Sequence, residues 1–270
     1  MNQYSLLTLF LLFVHTSFAQ FTSDRYHPKS ILSKQRIDSC KIYSKTKTEA
    51  PKLSEVLLYS LSGDIIKIID YEGEYSNTYR YDTTGRLVAK YFIPVGEGFY
   101  ERDTLIYDTN NNLILDIAYK YDGSESTRYK YVYSKNILQK EFYFLNEKLK
   151  TVTEYVYDGK NRLIKETHIY NGQISELYSY KYDDSNNLIE FTTSSSTGTV
   201  NSKQFFKYNT NNLKIEQSIY DENNMLSQVY KTYYLENGLI DYEEWFTGIE
   251  NNKINKSDYK KLIYTYTVKK

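Results

Sequence analysis

The sequence predicts an all-β fold, an antiparallel meander of about eight β-hairpin repeats forming a curled or shell-like sheet. Three observations predict it: a tyrosine-rich composition, a repeat of about 25 residues, and turn residues that recur about every 12 positions. Tyrosine occurs 32 times, proline 3 times and tryptophan once in 270 residues. A tyrosine ring packs well on a pleated surface, and a scarcity of proline leaves few interrupted ladders.

Residues 1–19 read as a signal peptide. The apolar run Leu6–Val14 is followed by small and polar residues, with cleavage expected after Ala19. The run is shorter than the roughly 20 apolar residues of a helical membrane span. The chain is therefore expected to be exported, to the periplasm or outside the cell, with no membrane span in the mature chain. Residues 20–52 read as a loosely ordered N-terminal lead-in that lacks the repeat and carries Lys29, Lys34, Arg36, Lys41, Lys45, Lys47 and Lys52, with room for one strand near Ile37 to Tyr43. Residues 53–268 form the repeat domain.

In that domain a tyrosine precedes each polar turn, at positions 59, 81, 107, 133, 157, 182, 208 and 234. The pattern is clearest in Tyr81-Asp82-Thr83-Thr84-Gly85-Arg86-Leu87 and Tyr157-Asp158-Gly159-Lys160-Asn161-Arg162-Leu163. An Asp after the Tyr can accept a backbone N–H two residues on. The fourth turn position calls for positive φ, which Gly and Asn tolerate. Such a turn makes a three-residue hairpin loop, so Tyr81 is expected opposite Leu87 on one face. Three copies are one residue shorter, and there Tyr133 is expected opposite Leu138, Tyr208 opposite Leu213 and Tyr234 opposite Leu239.

A second set of turns lies midway: Glu72-Gly73, Val95 to Gly98, Asp122-Gly123, Asn146-Glu147, Asn171-Gly172, Thr197-Gly198, Asn223-Asn224 and Thr247-Gly248. Strands of roughly 8 residues between turns mark a meander. Along Tyr178-Ser179-Tyr180-Lys181-Tyr182 the rings share one face. A flat sheet of about 17 strands would be near 80 Å wide, and twisted sheets rarely extend that far. The sheet is expected to curl, with the Tyr–Leu face inward. The run Leu262–Val268 reads as a last strand, guarded by Lys269 and Lys270.

The run Tyr79-Arg80-Tyr81-Asp82-Thr83-Thr84-Gly85-Arg86-Leu87 resembles the tyrosine–aspartate (YD) repeat of RHS-type proteins, and the likeness extends over most of residues 54–266. It implies strand-turn-strand units that wind into a hollow β shell, and in some members carbohydrate binding or cell-surface contact. The toxin role of the large members is not carried over. A second likeness, of Tyr233-Tyr234-Leu235-Glu236-Asn237-Gly238-Leu239 to MORN-like repeats of antitoxin-type proteins, rests on that copy alone.

The charges point to no nucleic acid, because Lys plus Arg equals Asp plus Glu at 34 each and the signs are interspersed. Cys40 is the only cysteine, so no internal disulfide forms. His168 is expected to face solvent or to stack. The turn carboxylates Asp82, Asp108, Asp158 and Asp183 recur once per repeat and are expected to serve the turns. The oxygen-rich stretches at Asp108–Asn112 and Asp221–Asn224 lack the spacing of a calcium loop. No catalytic residue, cofactor or metal is expected, and the chain is read as a non-enzyme. The expected function is a structural or binding scaffold with an envelope protein or a glycan as partner. Trp245 and Phe246 are the candidate ligand-binding residues, through stacking on sugar rings.

Overall fold

The computed structural model describes residues 29–94, 101–247, 249–250, 253–255 and 259–268. The apolar leader, His27, the Val95–Gly98 turn, Gly248, Lys269 and Lys270 lie outside the described residues.

A short helix, α1 (Lys29–Lys34), leads into β1 (Ile37–Thr46), β2 (Lys52–Tyr59), β3 (Ile65–Asp70), β4 (Tyr75–Tyr81), β5 (Leu87–Pro94) and β6 (Glu101–Tyr107). Then follow β7 (Leu113–Tyr119), β8 (Glu125–Ser134), β9 (Ile137–Leu145), β10 (Lys148–Tyr157), β11 (Leu163–Tyr170) and β12 (Gln173–Tyr182). The remainder comprises β13 (Leu188–Ser195), β14 (Val200–Tyr208), β15 (Lys214–Tyr220), β16 (Leu226–Tyr234), β17 (Ile240–Phe246), the two-residue strands β18 (Ile249–Glu250) and β19 (Lys253–Ile254), and β20 (Tyr259–Val268).

From β2 to β17 every strand pairs antiparallel with the next. β17 then pairs with β20, β20 with β1, and β1 with β2, so the 18-stranded sheet closes on itself. The meander is as expected, but the sheet is a closed barrel rather than an open curled one. The lead-in strand supplies the closure: Cys40 sits between Leu57 of β2 and Tyr266 of β20.

The turns explain the curvature. In the copy at Tyr81, Gly85 N–H donates to the Asp82 carbonyl and Asp82 N–H to the Arg86 carbonyl, closing a three-residue loop. The αL position is filled by Gly63, Gly85, Asn111, Asn161, Asn186, Asn212 and Gly238. Beyond the Tyr81–Leu87 pair the register skips: Arg80 faces Ala89, and Val88 has no opposite number. The same extra residue follows the paired residue in all eight copies. Such bulges bend a strand and raise its twist. Repeated eight times at one end of the sheet, they roll it shut.

Two expected pairings are corrected. Tyr208 faces Lys214 and Tyr234 faces Ile240, not Leu213 and Leu239. These copies use the full-length loop, and the apolar Leu213 and Leu239 fall at the position occupied by Arg86 in the copy at Tyr81. Only Tyr133, opposite Leu138, spans a two-residue loop, through Lys135 and Asn136 with φ of 50° and 62°.

The Tyr–Leu face lies inside and forms one buried cluster with Leu32 of α1. A round barrel of 18 strands leaves an aqueous channel. Here Tyr79, Tyr131, Tyr155, Tyr180 and Phe191 are all buried, so side chains fill the interior instead of leaving a hollow shell. The Tyr-turn end is the tightest part. Leu32, Ile65 and Leu87 are each 0% exposed there. A Cβ added to Gly238 would lie 2.9 Å from Ile31 Cδ1, which places α1 across that end.

Candidate functional site

The opposite end of the barrel, formed by the midway turns, is a rim. Tyr121 and Tyr170 remain 64% and 50% exposed on it. Beside β1, β17 and β20 the rim holds a cavity of about 350 Å³ lined by Thr46, Lys47, Thr48, Trp245, Tyr259 and Lys260 together with Thr247.

The two aromatic residues singled out from sequence part company here. Alternation puts Trp245 on the inner face, opposite Tyr230 on one side and Lys260 on the other. Its indole stacks on Tyr230 at 5.5 Å and 13°, and its Nε1 is buried with no hydrogen-bond acceptor among the described residues. Phe246 points the other way, is 6% exposed and packs on Tyr259 at 5.8 Å. The pair is therefore not one exposed patch. Lys260 is held by Glu72 at 3.0 Å, and Glu72 also accepts from Ser44 Oγ at 2.5 Å. These partners hold the Glu72 carboxyl below its ordinary value although burial opposes them.

A second polar assembly, unforeseen from sequence, crosses the interior. Because of the bulge, the residue three after the paired Leu faces inward. That position holds Lys90, Asp116, Glu141 and Glu166, on β5, β7, β9 and β11. Lys90 Nζ contacts Asp103 at 2.7 Å and Asp116 at 3.2 Å. Burial pulls the Lys90 ammonium down, but the two carboxylates outweigh it and raise it. Asp116 itself is pushed up by burial, with Lys90 opposing. Glu141 lies between Asp116 and Glu166 with only the Tyr155 hydroxyl, 3.5 Å away, as donor. Burial first, and the neighbouring Glu166 charge next, push it up to about 8. Glu166 accepts from the Tyr180 hydroxyl at 2.5 Å and meets His168 Nε2 at 3.1 Å.

His168 is thus an interior residue, its ring tilted at 46° against that of Tyr178 with centroids 4.4 Å apart. The turn carboxylates serve the turns: Asp82 Oδ1 accepts from the N–H groups of Thr84 and Arg86, and Asp108 Oδ1 from those of Asn110 and Asn112. Asp221 does the same with Asn223 and Met225. Among the described residues, no group of three or more His, Cys, Asp and Glu side chains could hold a metal ion.

No protein-family model and no curated protein matches the sequence. Among solved structures, a porin-like protein from Bacteroides uniformis is similar at 10% identity and a TM-score of 0.47, over 86% of this chain and 98% of that one. A LolA superfamily protein from Nitrosomonas europaea matches at 10% identity over 90% of this chain and 93% of its own, with a TM-score of 0.25. A putative outer membrane lipoprotein-sorting protein domain from Vibrio parahaemolyticus matches at 11% over 90% and 93%, with a TM-score of 0.24. Likeness of this order leaves the site to be argued from the chain's own residues.

Proposed function

We propose that the chain is an exported, non-enzymatic scaffold of YD-like repeats that binds a partner through its open rim, in the periplasm or outside the cell. The difference between the two ends carries this reading. One end is sealed by α1 and the Tyr–Leu pairs, while the other keeps the Trp245 cavity and, on separate turns, the exposed Tyr121 and Tyr170. Export is supported by the apolar run Leu6–Val14 and the small residues up to Ala19. A scaffold role is supported by the interior carboxylates, which are committed to Lys90, Tyr155, Tyr180 and His168 away from solvent. The repeat reading is supported by a turn built alike in copy after copy.

The outer wall supports a barrel that stands in water. A membrane-spanning barrel needs an outward apolar band. Here the outward strand positions carry Lys140–Glu154, Lys181–Glu190 and Lys207–Glu216 pairs at 2.7, 2.9 and 2.7 Å.

The unpartnered indole N–H of Trp245 favours an acceptor-rich ligand, and a sugar is the second reading for the rim. Two measurements test the proposal. Full-length chain should fractionate outside the cytoplasm, and a chain lacking residues 1–19 should stay within it. On a glycan array, or in a pull-down from envelope extracts, Trp245→Ala should abolish capture of the partner. Cytoplasmic retention of the full chain overturns the export half. Capture that survives Trp245→Ala and Tyr121→Ser overturns the rim half.

A further inference from the structure

We propose that the outer wall over β7–β12 is a docking face for an anionic lipid surface. This goes beyond the rim reading and does not depend on it. Cross-strand register sets Leu115, Lys130, Phe142, Val152, Ile169 and Ile174 in one outward row across six strands. Five inter-strand spacings make that row about 24 Å long. A second row, Ile117–Arg128–Phe144–Leu149, runs beside it. Between the rows is a groove of about 540 Å³ that touches Leu115, Lys130 and Phe144. Leu149 and Ile174 are 47% and 48% exposed.

The chain covers comparable residues elsewhere. On β16 and β17 the outward-facing Val229 and Phe246 are buried, where β18 lies against β16. Over β7–β12 Ile117 is buried at 8%, but Leu115, Phe142, Phe144, Val152 and Ile169 are half-buried and Leu149 and Ile174 exposed.

Charge selects the occupant. The two acids on this wall are already engaged, Glu154 by Lys140 and Glu125 by Arg128. Lys130 and Lys165 have no acidic partner among the described residues, and Arg102 at the margin lies over the Tyr119 ring at 5.2 Å. A second copy docked on this face would oppose these cations to their own images. A negatively charged bilayer surface would attract them, and long Lys stems let apolar neighbours sink while the charge stays among headgroups.

The test is co-sedimentation of the full chain with vesicles of phosphatidylcholine alone or mixed with phosphatidylglycerol. Binding is expected to the mixed vesicles only, and to weaken in high salt. The double variant Lys130→Glu/Lys165→Glu should lower partitioning at least about 10-fold, and Leu149→Ser should lower it too. Lys207→Glu on β14, outside that face, should leave it unchanged, and equal circular dichroism and thermal midpoints should show that all variants fold. Absence of vesicle binding overturns the proposal. Equal loss in Lys207→Glu does so as well, as does a dimer in analytical ultracentrifugation that Leu149→Ser dissociates. Trp245→Ala should bind vesicles like the unmodified chain, which separates failure here from failure at the rim.

Discussion

The hydroxyl of Tyr107 donates to the carbonyl oxygen of Leu87, one repeat earlier, at 2.8 Å. The bond recurs from Tyr81 to Ile65, Tyr182 to Leu163, Tyr208 to Leu188 and Tyr234 to Lys214, so five of the eight turn tyrosines are tied to the hairpin before them. Tyr157 departs from the rule: its hydroxyl is buried without a partner. The repeat before it uses the two-residue loop, and there the Leu138 carbonyl is approached by Gln139 Nε2 at 3.5 Å.

This contrast predicts opposite outcomes for one chemical change. Tyr107→Phe should cost about 1 kcal/mol, the net worth of a typical hydrogen bond. Tyr157→Phe should be neutral or stabilising, because it removes an unsatisfied buried group. Urea denaturation of both variants checks this, and an equal cost at the two positions would dismiss the ladder as an energetic feature.

Glu141 makes stability depend on pH. Its carboxyl holds a proton in the folded state up to about 8, against 4.5 ordinarily. The folded chain thus binds more protons than the unfolded one across that window, so stability falls as pH rises through it and levels off above. Glu141→Gln should remove this slope. The gain should be on the order of 5 kcal/mol near pH 9 and negligible near pH 4. Denaturation midpoints across that range decide it.

Asn111 sits at φ 66° in its turn. Asn111→Ala should cost about 1–2 kcal/mol, the penalty for a Cβ in left-handed backbone, whereas Asn111→Gly should be close to neutral. Thermal unfolding of the pair provides the measurement.

Cys40 reports on the seam. It is 0% exposed on β1, and burial pushes its thiol up to about 12. A thiol reagent should label it only after denaturation. Leu57→Ala, which hollows the site opposite, should cost about 2–5 kcal/mol and speed labelling of the native protein. Rapid labelling of the unaltered chain would mean that the seam is not closed in solution.

Much of the architecture could be read from the residues. The Tyr81–Leu87 pairing, the inward aromatic face and the left-handed Gly and Asn all follow from local turn chemistry. Local chemistry cannot count to a closed ring, which depends on β1, a strand outside the repeat. The interior acids were equally hidden. Simple alternation from Leu138 puts Gln139 out and Lys140 in, but the bulge moves the inward position to Glu141. Aligning copies on the residue three beyond the paired Leu would have exposed Asp116, Glu141 and Glu166. The Trp245–Phe246 patch misled for a related reason, since neighbours on a strand face opposite ways.

The seam also sets an order of events. Lys41 and Thr265, whose backbones pair across it, are the best part of the polypeptide apart. Until β20 leaves the ribosome, β1 has only one of its two neighbours, and the growing sheet keeps a raw margin. Maturation should accordingly be slow, as for any topology ruled by distant contacts.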